Sequence, residues 1–207
     1  MPRDKSASHI KIMAAAKAEF LEMGYEKASM RGIADRCGMT AAGIYRHCAD
    51  KEDLFYQLVS PAEDKLMEWA TAHMQKYDEP VKKQHKIIWK DSFIDMMREV
   101  VYPNMEEYHL MIARSKGSKY ENYLHDMTQM AQDKFMAYLE ELRMSGIEAP
   151  DISEKQLHLL LTAYLTALFE PVVHNYPYEE ANEALETLEK FFLPGWKEMM
   201  GVRSELN

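Results

Sequence analysis

Apolar side chains recur at Ile10, Ala14, Ala18 and Leu21, with Met13, Lys17 and Phe20 between them, a spacing that predicts a helix over residues 8–23 with a buried stripe. Gly24 ends it. Ser29 is the expected N-cap of a second helix through Arg36, and Gly38 supplies the break after it. Thr40 begins a third, short helix through His47, and Asp50 caps a fourth with Glu52 and Asp53 in its first turn. The fourth helix is expected over residues 51–75, kinked or interrupted near Pro61, whose ring cannot donate to the helical ladder.

Beyond it, one row reads Trp89, Phe93, Met96, Val100 and a neighbouring row Ile87, Ile94, Met97, Val101, so a helix over 82–101 is apolar on two rows and largely buried. Tyr102, Pro103 and Asn104 break it, a short helix holds 105–114, and Lys116, Gly117, Ser118 form a turn. A long helix then runs to Met144, and two more cover 153–175 and 178–199. In the first of these, Leu157, Leu160, Leu161, Tyr164, Leu165, Leu168 and Val172 cover more than one face. Such breadth predicts one face on the core and another on a second subunit. Ala184, Leu185, Leu188, Phe191 and Phe192 offer a partner stripe, and the predicted dimer interface is Leu157, Leu161, Leu165, Leu168, Val172, Leu185, Leu188 and Phe192.

The chain therefore reads as all-α, and composition agrees: 47% hydrophobic and 29% charged residues, few Gly and Pro, no long β-branched runs. No apolar run approaches the roughly 20 residues that cross a bilayer, and MPRDKSASHIK lacks a signal-like apolar segment, so a cytoplasmic protein without membrane contact is expected. Cys37 and Cys48 are too few for a disulfide framework or a four-ligand zinc site; reduced thiols are expected, with a redox switch as the lesser alternative. The net charge of -9 is unevenly spread: residues 1–51 hold nine Lys and Arg against six Asp and Glu, leaving 16 against 28 elsewhere. A mildly basic head on an acidic body orients the molecule toward a polyanion.

The stretch 24–55, GYEKASMRGIADRCGMTAAGIYRHCADKEDLF, holds two short helices around a tight turn, the arrangement of a helix-turn-helix. In such a unit the first helix, beginning at Ser29, Met30 and Arg31, lies against the DNA backbone while the second enters the major groove. The second is Thr40, Ala41, Ala42, Gly43, Ile44, Tyr45, Arg46, His47: Ile44 faces inward and the remainder is small or polar. Gly43 costs up to about 1 kcal/mol relative to alanine in a helix, and either close DNA approach or tight packing accounts for it. Arg46 suits a guanine or a phosphate, Tyr45 and His47 suit phosphate oxygens, and Lys51 at the start of the fourth helix suits another.

With Ala18, Phe20, Gly24 and Tyr25, then Ser29, Ile33, Ala34 and Gly38, then Gly43, Ile44, Tyr45 and His47, and finally Lys51, Glu52, Asp53 and Leu54, residues 10–58 resemble the DNA-binding domain of the TetR family. Two positions depart from the family pattern: Ala41, Ala42 replace a common Lys-Gly pair, and Cys48 replaces a common aromatic. The resemblance implies a helix-turn-helix domain over 1–50, a helical ligand-binding and dimerisation domain over 51–207, a homodimer joined by the last two long helices, a double-stranded operator and a small organic effector. It also supplies a place for a pocket in a body rich in the chain's 17 Met. Met adapts to irregular shapes. The candidate lining is Met67, Trp89, Phe93, Met96, Met97, Tyr102, Met105, Tyr108, Tyr123, Met127, Met130 and Tyr164, with an ordinary Met-rich core as the alternative.

No nucleophile elbow, Gly-rich phosphate loop, zincin spacing or nucleotide fingerprint is present, so neither an enzyme nor a cofactor is expected. Glu170 and His174, four apart, are expected as a polar pair near the dimer seam rather than a metal site. The expected function is a ligand-responsive regulator, a repressor, reading a palindromic operator. A protein-interaction module whose helix-turn-helix no longer reads DNA is the alternative, which the uncharged Ala41, Ala42 entry keeps open.

Overall fold

The inner face of α1 (Lys5–Lys27) is built from Ile12, Ala15, Ala16, Glu19 and Phe20. This computed structural model describes residues 5–84 and 92–199, with side chains from 6–72 and 93–199. The buried stripe lies further round the helix than the sequence pattern implies, because Ile10, Ala14 and Ala18 face outward. The row Ile12, Ala16, Phe20 turns inward because the Phe20 ring removes more apolar area from water than the row Ile10, Ala14, Ala18 could. Gly24, at φ 72° and ψ 158°, breaks the helical geometry as expected, and the freed Tyr25 N–H donates to Arg114 O at 2.7 Å.

Next come α2 (Met30–Cys37) and α3 (Ala41–Ile44), the latter shorter than expected because Tyr45, Arg46 and His47 form a turn. Then α4 (Lys51–Gln84) runs unbroken through Pro61, longer than the sequence implies. Pro61 lies on the exposed side of the helix, so the missing hydrogen bond opens onto water. After it come α5 (Ser92–Met96), a π turn over Met97–Val101, a single 3-10 turn over Tyr102–Asn104, and α6 (Met105–Ala113). Of the two apolar rows, Ile94, Met96, Met97, Val100 and Val101 are buried; Ile87 and Trp89 lie outside the described residues. The remaining helices are α7 (Tyr123–Met144), α8 (Glu154–Val173) and α9 (Tyr178–Met199). Among the described residues there is no strand.

The chain forms two compact units, Met1–Asp64 with Asn104–Tyr123, and Lys65–Pro103 with Leu124–Asn207. In the first, Phe20, Tyr25 and Phe55 meet edge and face with centroids 5.0 to 5.9 Å apart, and Tyr120 joins Phe55 at 5.9 Å. α6 is tied to α1 by Lys17, which pairs with Glu106 at 2.5 Å and Glu107 at 2.8 Å, and to α4 by Tyr108, whose hydroxyl donates to Ala62 O at 3.0 Å. In the second, Tyr164 on α8 is wholly buried among Phe93, Phe192 and Trp196, with centroids 4.8 to 5.8 Å away. α8 begins at a capping box formed by Ser153 and Gln156. α8 is long and apolar enough on average to cross a bilayer by length and composition alone, as the core helix of a folded domain also can be, and 44% of its apolar window is packed within the chain.

Candidate nucleic-acid interface

The reading unit is assembled by short-range caps. Ser29 accepts from Gly32 N at 3.0 Å and starts α2; Gly38, at φ 66°, closes it with its N–H turned back onto Ala34 O and Asp35 O. Thr40 Oγ1 accepts from Gly43 N at 3.1 Å and starts α3. Asp50 Oδ1 accepts from Asp53 N at 2.8 Å, while Asp53 Oδ2 takes the Ala49 N–H at 2.7 Å, a reciprocal pair that begins α4. That backbone N–H, with Gln57 Nε2 at 3.1 Å, holds the Asp53 carboxyl below the usual carboxylate range.

A buried carboxylate braces α2 against α1. Glu19 accepts from Arg36 Nε at 2.7 Å and from Ser29 N at 3.4 Å, and Arg36 also pairs with Glu22. Glu19 is missing from the expected site because a lone acid in an amphipathic helix reads as solvated; Gly32 and Arg36 at helix-packing positions are the signal that accompanies it.

On this brace Ile33, Ala34 and Ile44 are buried, and Ala42, Tyr45 and Arg46 are turned to solvent with Ser29, Arg31 and Thr40. Met30, Ala41 and His47 are half-buried. Gly43 is buried, but what a Cβ there would meet is Thr40 Oγ1 at 3.3 Å, Met39 Cε at 3.4 Å and Arg46 Nη2 at 3.7 Å, all side-chain atoms. Lys51, the expected phosphate contact, is engaged within the chain: its ammonium donates to Tyr25 O at 2.7 Å and Ala28 O at 3.2 Å and stands 4.2 Å from the centre of the Tyr25 ring. It thereby holds carbonyls left over at the end of α1. Burial and a hydrogen bond to Glu52 raise the Tyr25 hydroxyl well above its ordinary pKa, so it stays protonated. Cys37 and Cys48 are both free thiols, and burial pushes the Cys48 thiol up.

Residues 12–58, the segment carrying these caps, match the model of the bacterial regulatory proteins of the tetR family. Over this segment the chain is similar to the DNA-binding part of TetR-family transcriptional regulators. A curated relative, the uncharacterized HTH-type transcriptional regulator YfiR of Bacillus subtilis (strain 168), is 19% identical over 189 residues, covering 87% of this chain and 85% of that one. Among solved structures, native NalD, the secondary repressor of the MexAB-OprM multidrug efflux pump in Pseudomonas aeruginosa, is 16% identical, with a TM-score of 0.50 over 90% of this chain and 97% of its own. The likeness to NalD is one of fold. Within the matched segment, α2 and α3 are the helix-turn-helix.

The residues expected to line a pocket are divided between the two units. Met105, Tyr108 and Tyr123 belong to the first unit and the others to the second. Met96, Met97, Tyr102, Met127 and Tyr164 are buried and Phe93 is half-buried, whereas Met67 and Met130 are exposed; Trp89 lies outside the described residues. Burial pushes the Tyr102 hydroxyl up to about 12, and it donates to Ala181 O at 3.0 Å.

The expected interface row also needs correction. Leu157, Leu161, Leu165, Leu168, Val172 and Leu185 have at most 1% of their surface exposed within the single chain, so they form its own core and offer nothing to a partner. Leu188 and Phe192 are half-buried. The outward apolar side chains of α8 and α9 are Leu159, 69% exposed, Leu160, and Phe191, 76% exposed. Glu170 and His174 do pair, at 2.9 Å, on the exposed side of α8.

Proposed function

We propose that this regulator binds a roughly palindromic DNA operator as a homodimer, acts as a repressor in the cytoplasm, and is released by a small organic effector. The observation that carries the reading is the outward display of Ala42, Tyr45 and Arg46 over buried Ile44, on α3, capped by Thr40, and the turn that follows it. Small side chains at the entry allow close approach to base edges, and the Arg46 fork matches a guanine edge or a phosphate. Ser29, Met30 and Arg31 at the start of α2 face the flanking backbone in this reading. Two heads with half-site centres about 34–36 Å apart would meet successive major grooves on one side of the duplex.

Leu159, Leu160 and Phe191 support a second copy of the chain as the cover of α8 and α9, since exposed large apolar side chains on adjacent helices are costly in water. The effector belongs in the second unit, where Met96, Met97, Met127 and Tyr164 offer an adaptable apolar lining. It acts by population shift, binding better to the form whose heads are wrongly spaced and moving α4, with about 1–3 kcal/mol of coupling typical. Selection of binding sites from a random duplex library at near-physiological salt tests the reading. An enriched inverted repeat is expected; enrichment of no sequence would leave the interaction module that Ala41 and Ala42 permit.

A further inference from the structure

We propose that His9, on the opening turns of α1, is a DNA-backbone contact acting beside His47; this rests on the DNA-reading function proposed above. His9 is half-buried, and its ring lies 6.2 Å from that of His47, inclined by 29°, although 38 residues separate them. The pairing brings the beginning of α1 to the turn that follows α3, next to exposed Tyr45 and Arg46. The rings stack face to face, so their N–H groups, which lie in the ring planes, point edgewise, and the two neighbouring edges can donate to oxygens of a phosphate backbone passing alongside the pair.

The charge of the helix agrees with such a neighbour. From Lys5 to Ala18 it carries Lys5, Lys11 and Lys17 and no carboxylate, the first acid being Glu19, which is buried and paired with Arg36. Lys17 is taken up by Glu106 and Glu107, so the part of α1 around His9 and Lys11, which itself carries no carboxylate, is the part that suits a polyanion. Packing alone does not call for histidine at position 9, because a phenyl ring would stack on His47 equally well.

The test compares wild type, His9→Phe, His9→Lys and Arg46→Glu on a duplex selected by the wild-type protein. His9→Phe keeps a ring against His47 and removes the donor; it is expected to weaken binding roughly three- to tenfold. His9→Lys loses the ring and keeps a donor and a charge; it is expected to bind within about twofold of wild type. Wild-type affinity in His9→Phe, or loss in both His9 variants, would make His9 a packing residue and overturn the proposal. Loss of binding in Arg46→Glu with no change in either His9 variant overturns this proposal and leaves the DNA-reading function standing. A wild-type protein that selects no duplex removes both.

Discussion

Gly32 leaves the space that Glu19 occupies: a Cβ on Gly32 would stand 2.2 Å from Glu19 Oε1 and 2.8 Å from its Cδ. The carboxylate cannot swing aside freely, because it is buried and held by Arg36 Nε at 2.7 Å. The spacing of α1 from α2, and so the attitude of the reading unit, is set by this ion pair seated on a glycine.

Gly32→Ala is therefore expected to destabilise the protein by about 1–3 kcal/mol, although alanine is the better helix former by about 1 kcal/mol. The double variant Gly32→Ala, Glu19→Ala should recover part of the loss by removing the clashing group. Urea unfolding of the three variants reads this directly. A Gly32→Ala protein as stable as wild type would mean that the brace yields.

Gly43→Ala carries the opposite expectation. Its neighbours are the ends of side chains that can give by a few tenths of an ångström, so the fold should hold or gain up to about 1 kcal/mol from helix propensity. Operator affinity should nevertheless fall, because the new methyl group occupies the face that approaches DNA. Unchanged affinity in a titration against the selected duplex would place Gly43 outside the DNA contact.

Asp53 gives the stability an acid limb. Its folded pKa lies below the ordinary value of 3.8, so its contribution is complete above that value and is lost as pH falls through the lowered folded pKa. Asp53→Asn should be less stable than wild type near neutral pH, with the difference shrinking below about pH 4. Thermal melts across that range measure it; a constant difference at all pH values would assign the effect to packing instead.

The two apolar faces of the α8 and α9 pair should respond differently to charge. Phe191→Glu is expected to give a folded monomer, since the side chain is 76% exposed within one chain. Leu165→Glu, at a position with no exposure, should cost more than about 3 kcal/mol and abolish folding. Sedimentation with circular dichroism separates the cases. A dimeric Phe191→Glu protein would send the interface elsewhere.

What the sequence made legible is what depends on near neighbours. Ser29, Thr40 and Asp50 each satisfy an N–H three residues on, so cap chemistry located three helix starts without knowledge of the fold. Tyr102 and Pro103 likewise ended a helix where they stand. Long-range choices were not legible. Both rows of α8 are apolar, and periodicity alone cannot say that Leu165 meets the chain's own core while Leu159 meets solvent. Burial of Glu19 requires Arg36, 17 residues away, and the role of Lys51 requires carbonyls 23 and 26 residues back. The π turn at Met97–Val101 carries five ordinary helix-compatible side chains and has no local mark.

The most direct measurement of DNA reading is the affinity of wild type and Arg46→Glu for an enriched duplex and for its scrambled counterpart, at one near-physiological salt concentration. Wild type is expected to prefer the enriched duplex by at least about a thousandfold, with the preference lost in Arg46→Glu. Equal binding of both duplexes by wild type, or an Arg46→Glu protein that discriminates as well as wild type, would contradict sequence reading through α3 and the turn that follows it.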